Sequence, residues 1–172
     1  MNEETELIYT EEQRFGLWLR WLIVASMALT VPISIFSLTI MPSGQGSSNI
    51  VPLLIVMIAG VFVPIAVALL FGMLKLQTEV RPDGLYVRFF PLHIRFKRFA
   101  AEDLSEYYAR QYKPILEYGG WGIKGSFKKG GAYNVSGNKG VQLVFKNGKR
   151  LLIGSQKAEE LEEAIRSIME SS

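Results

Sequence analysis

The chain has no cysteine and a single histidine. The first absence removes disulfides, thiolate metal sites, iron–sulfur clusters and cysteine nucleophiles together, and it suits a reducing compartment. The second leaves His93 as the one imidazole, in a Pro91-Leu92-His93 turn where a surface role is ordinary. With no carboxylate pair or Ser/His/Asp set in a suggestive context, no nucleophile, metal cluster or general base stands out. The expectation is a non-catalytic protein that needs no cofactor. Two glycine-rich segments, Gly119-Gly120-Trp121-Gly122 and Gly130-Gly131-Ala132-Tyr133, lack both the Gly-x4-Gly-Lys-Ser/Thr pattern and a Gly-x-Gly-x-x-Gly turn opening a helix. They read as bends around aromatic rings rather than as phosphate loops.

Charge is missing as well, and locally. Residues Trp21 to Leu74, 54 in all, include no Asp, Glu, Lys, Arg or His. Two apolar runs, about 21–41 and 50–74, flank a short linker containing Pro42-Ser43-Gly44-Gln45-Gly46. Each meets the ~20 residues that a helix needs to cross a ~30 Å hydrocarbon layer, so the sequence predicts a transmembrane hairpin. A cleaved signal peptide fits less well, because the preceding segment is rich in Glu (Glu3, Glu4, Glu6, Glu11, Glu12). Arg14 and Arg20 before the hairpin, and Lys75, Arg81 and Arg88 after it, predict a multi-pass membrane protein with both termini cytoplasmic. Thr10 and Gln13 have the spacing of a capping box at the start of the first helix. The domain reading is 1–20 as an N-terminal segment, 21–74 as the hairpin and 75–172 as a cytoplasmic domain.

Small residues recur within the apolar runs. Ser26, Thr30 and Ser34 share one stripe, and Gly60, Ala68 and Gly72 with Pro64 share another. Such stripes let helices approach closely, either within one hairpin or against other integral membrane proteins. The absence of any ionisable side chain there argues against a channel or pump.

Beyond Gln77 the pattern changes to strands and turns. Leu85, Val87 and Phe89 alternate with Tyr86, Arg88 and Phe90; Ile94 and Phe96 alternate with Arg95 and Lys97. A strand is expected over about 104–112. Val141, Leu143 and Phe145 lead into Lys146-Asn147-Gly148-Lys149, a type I′ hairpin signal, and Leu151 and Ile153 follow. A final helix over about 156–170, with Ser155 as N-cap, presents Leu161, Ile165 and Ile168 on one face. Meander-ordered strands closed by one C-terminal helix outline a pleckstrin-homology-like (PH-like) split barrel.

The series Gly-Gly-Trp-Gly-Ile-Lys, Ala-Tyr-Asn-Val-Ser-Gly, Gly-Val-Gln-Leu, Asn-Gly-Lys and Ile-Gly-Ser-Gln, after the apolar runs, resembles small bacterial membrane proteins of unknown function with a PH-like domain. That resemblance implies a fold and attachment to a bacterial inner membrane, and no chemistry.

Basic residues carry the functional hint. Residues 75–172 hold seventeen basic and eleven acidic groups. Arg95, Lys97 and Arg98, with Lys124, Lys128 and Lys129, form a candidate basic face suited to anionic lipid headgroups or a protein partner. Nucleic acid is not expected, since no recognition helix or stacking platform is evident. Two functions follow. One is an accessory subunit or scaffold of a membrane assembly. The other is a free-standing, membrane-anchored module that binds a peptide, a soluble protein or a lipid headgroup.

Overall fold

The structure, a computed structural model, describes residues 7–40, 55, 58–126 and 130–170. The chain divides into two compact units: Met1–Phe15 with Leu74–Ser172, and Gly16–Met73.

The larger unit is mainly β. Its first sheet contains β1 (Tyr9–Arg14), β2 (Lys75–Arg81), β3 (Gly84–Phe90) and β4 (Lys97–Phe99), antiparallel and in chain order. Alternation places Leu76, Thr78 and Val80 of β2, and Leu85, Val87 and Phe89 of β3, on the buried face. The β2–β3 turn ends at Gly84, whose φ of +144° and close approach to the Phe99 carbonyl leave no room for a side chain. After a 3-10 turn (Ala101–Asp103) comes β5 (Leu104–Gln111), then a one-turn helix α3 (Pro114–Tyr118). The remaining strands are β6 (Gly122–Ser126), β7 (Gly130–Asn134), β8 (Lys139–Phe145) and β9 (Arg150–Gly154), and helix α4 (Ala158–Glu170) closes the chain.

The second sheet runs β5-β8-β9-β7-β6, with β9 parallel to β7. The Asn147-Gly148 hairpin inserts β9 between its partner β8 and the earlier β7. This corrects the expected meander and, with it, the PH-like barrel: alternation identifies strands but does not say which become neighbours. The amphipathic helix forms as expected. Leu161, Ile165 and Ile168 are buried, and α4 packs on β2, β3, β5 and β8. Full burial of such a side chain contributes about 1.5–3 kcal/mol. Ser155 precedes that helix rather than capping it directly; its Oγ accepts from Lys157 N at 2.9 Å and donates to Glu11 at 2.6 Å.

Thr10 and Gln13 lie in β1 and not at a helix start, a second correction. Tyr9, Glu11 and Gln13 turn inward from this strand. Gln13 Nε2 donates to the Gly154 carbonyl at 2.7 Å, and Glu11 accepts from Ser155 Oγ and from Gln156 N.

The smaller unit holds α1 (Leu17–Ile40), a π-helical turn (Ile58–Phe62) and α2 (Val63–Met73). Pro64, expected within a helix, sits in the first turn of α2. Its missing N–H coincides with the change of hydrogen-bonding pattern just upstream. Among the described residues no helix is long and apolar enough to cross a membrane. Helix α2 rises only about 16 Å at 1.5 Å per residue. The predicted transmembrane hairpin, the multi-pass inner-membrane location and its orientation are corrected on this finding.

Candidate functional site

Between β3 and β4 the chain leaves the sheet for residues 91–96, and three anchors fix this excursion. His93 N donates to the Phe89 carbonyl at 2.7 Å, and Arg88 Nη1 donates to the Ile94 carbonyl at 3.3 Å. The Phe96 ring is covered by the Arg88 guanidinium, 4.4 Å from its centroid, with Arg81 at 5.9 Å and Tyr86 edge-on at 6.4 Å. Arg88 is itself held by Gln77 Oε1 at 2.8 and 2.5 Å. A cation stacked on a ring contributes about 0.5–1 kcal/mol at an exposed site.

The anchored loop borders a groove of about 480 Å³ lined by Leu92, His93, Ile94, Arg95, Lys97 and Tyr133. His93 meets the Tyr133 ring edge-to-face at 5.9 Å, which ties the loop to β7. Lys97 stands opposite Val87 in the sheet register, so it leaves β4 on the side of the buried face, toward the groove. Its Nζ lies 5.4 Å from the Phe99 ring centroid. Among the described residues no carboxylate lines the groove, and neither Arg95 nor Lys97 forms an ion pair. Leu92 and Ile94 are 60% and 75% exposed, so the cations are bordered by apolar surface left in solvent.

The structure thus brings together His93, Arg95 and Lys97, and separates the rest of the expected basic face. Arg98 stands opposite Tyr86 on the other side of the sheet and pairs with Asp83 at 3.1 Å. Lys124 is paired with Ala132, one residue out of phase with Tyr133, and so leaves the opposite face of its sheet. Lys128 and Lys129 lie outside the described residues. Tyr133, Leu92 and Ile94 were not anticipated as site residues; Tyr133 is forty positions from His93, on a strand of the other sheet, and meets it through the ring contact.

The small-residue stripes partly meet. Thr30 Oγ1 donates to Ser26 O at 2.9 Å and reaches Gly60 O at 3.4 Å. Gly60 is buried; Ala68 is half-buried and Gly72 exposed. Ser34 lies on α1, with its side chain outside the described part. The glycine-rich motifs serve structure: Trp121 Nε1 donates to Gly137 O at 3.1 Å, Gly122 N to Asn134 Oδ1 at 2.9 Å, and Asn134 Nδ2 to Tyr112 Oη at 3.1 Å. Among the described residues no group of His, Asp or Glu could hold a metal ion.

A family model described as a family of unknown function (DUF6141) matches residues 1–172. The chain belongs to that family. No curated protein matches it. Membership in DUF6141 replaces the resemblance to transmembrane PH-like proteins: with no membrane-capable helix described and the strands out of meander order, the motifs behind that resemblance carry neither feature. The family's description assigns no activity to the groove.

Proposed function

We propose that the protein is a non-catalytic binding module and that its ligand site is the groove of His93, Arg95, Lys97 and Tyr133. The ligand carries an anionic group joined to an apolar segment. One observation supports this most: Arg95 and Lys97, two cations without carboxylate partners among the described residues, line one groove with exposed Leu92 and Ile94, beside a loop already fixed by Phe96. The cations attract the anion, and the aliphatic side chains gain by covering the neighbouring apolar part. A pre-anchored loop spares the ordering cost of binding. Small exposed cations contribute modestly, about 1 kcal/mol each at most, so affinity rests on both halves of the ligand together.

Titration of the full chain with octyl phosphate below its micelle concentration, followed calorimetrically, tests this reading. Octyl phosphate is expected to bind more tightly than octyl glucoside or inorganic phosphate, and Arg95→Ala with Lys97→Ala to weaken it about tenfold, near 1.4 kcal/mol. Leu92→Ser with Ile94→Ser is expected to act similarly. Equal affinity for octyl phosphate and octyl glucoside would refute an anion site.

A further inference from the structure

The outer face of the five-stranded sheet carries a second cavity, separate from the groove. It measures about 260 Å³ and is lined by Tyr108, Arg110, Glu117, Gln142 and Arg150. Strand register assembles it: Tyr108 of β5 stands opposite Gln142 of β8, and Arg150 of β9 opposite Val144. The one-turn helix α3 adds Glu117.

The hydrogen bonds divide these groups into those already committed and those available. Arg110 is committed throughout. Its Nε donates to Gln142 Oε1 at 3.2 Å, its Nη1 to Gln111 O at 3.4 Å and Glu117 Oε2 at 3.0 Å, and its Nη2 to Glu117 Oε2 and Tyr118 Oη at 3.0 Å each. That accounts for all five guanidinium N–H groups. Glu117 is equally occupied, because its other oxygen accepts from Lys113 N at 2.8 Å. Gln142 is only 3% exposed, and its amide nitrogen gives one hydrogen to the Leu143 carbonyl at 3.3 Å. An amide nitrogen has two. The second has no partner among the described residues. Arg150 is exposed and forms no ion pair among them, and the Tyr108 hydroxyl is likewise uncommitted.

The cavity therefore offers a planar guanidinium fork, a buried amide N–H and a phenol, around a fixed Arg110–Glu117 pair. Two guanidiniums against one carboxylate leave a single positive charge. We propose that this cavity binds the carboxylate of a small monoanionic acid, held by the fork of Arg150 with the Gln142 N–H as a further donor. A carboxylate matches the fork in shape and the cavity in charge. A dianion would leave one negative charge beside Glu117, and a neutral amide would leave the fork unpaired. The proposal does not depend on the first groove, since no residue lines both.

The test is a titration of the isotopically labelled full chain with sodium acetate, with sodium chloride and sodium phosphate at matched ionic strength as comparisons. The readouts are the ¹H–¹⁵N signals of the Gln142 side-chain amide and of Arg150. At about pH 8 phosphate is mostly the dianion. Saturable shifts with acetate are expected, with chloride producing none. Arg150→Ala, an exposed change at a strand end, is expected to raise the acetate Kd about tenfold, while Lys157→Ala, an exposed cation that lines neither cavity, leaves it unchanged. Shifts that grow linearly and equally with acetate and chloride would overturn the site. Tighter saturation by phosphate would overturn the monoanion assignment, and undiminished acetate binding by Arg150→Ala would overturn the role of the fork.

Discussion

Thr78 lies at the centre of β2 and is fully buried, yet its Oγ1 has no hydrogen-bond partner among the described residues. A hydroxyl removed from water without a partner costs about 1–3 kcal/mol. Thr78→Val keeps the branched shape and removes that cost. It is expected to raise stability by about 1 kcal/mol, read as a higher urea midpoint at unchanged slope. A lower midpoint would show that the hydroxyl is satisfied in solution. Glu12, also on the first sheet, behaves oppositely. Hydrogen bonds from Lys75 at 2.8 Å and Arg14 at 2.8–2.9 Å hold its carboxyl well below the usual range, at about 2. A carboxyl depressed on folding stabilises the protein above its ordinary value of 4.5, and that stability is lost as pH falls through about 2. The group is one-third exposed, so its contribution is that of a surface pair, about 0.5–1 kcal/mol. Glu12→Gln is therefore expected to flatten the stability profile between about pH 4.5 and 2 relative to the unaltered chain; parallel profiles would exclude Glu12 as the source.

At the scale of elements, β5 poses a problem that α4 solves. It is an eight-residue strand at the edge of its sheet, where outward N–H groups invite pairing with another chain. The N–H of Ala109 is instead capped by Glu162 Oε2 of α4 at 2.9 Å, while Glu162 Oε1 accepts from Arg166 at 3.2 Å. Glu162→Ala is expected to cost about 1 kcal/mol and to speed amide exchange at Ala109 selectively, leaving the inward-bonded Tyr108 and Arg110 protected. Uniform acceleration along β5 would mean that Glu162 supports the helix rather than the edge. This interaction could not be read from the sequence, because 53 residues separate its partners. The strand β5 itself was legible over nearly its full length, as were the Asn147-Gly148 hairpin and the amphipathic face of α4. Each follows from local chemistry: alternation, a glycine for the positive φ of the turn, and a 3.6-residue period, although the turn takes positive φ at Gly148 alone and so is not the expected type I′. The order β5-β8-β9-β7-β6 does not, since any alternating strand can pair with any other.

Across the whole molecule, the least legible feature is the way β1 closes the larger unit. Tyr9-Thr10-Glu11-Glu12-Gln13-Arg14 lacks the apolar alternation that marks a strand, because its inward positions are polar and take their partners from residues 154–156. The candidate site was legible in the same partial way: Arg95 and Lys97 stood out as basic residues, while His93 read as an ordinary surface residue and Tyr133 became visible only once β7 faced the loop. The β1–β2 pairing has a consequence for folding. Arg14 stands directly opposite Lys75, so residues 15–74 form an excursion that leaves and returns between paired neighbours. A two-residue type I′ turn spans that distance between antiparallel strands. A chain in which Asn-Gly replaces residues 15–74 is therefore expected to fold by itself, keeping the dispersed amide spectrum of two sheets and the same ligand affinities. It loses the buried Leu74, at about 1.5–3 kcal/mol, which for a unit of roughly 100 residues lowers Tm by about 6–24 °C. Collapse of the amide dispersion in that chain would mean that residues 15–74 contribute to the β-unit's stability as well as interrupting it.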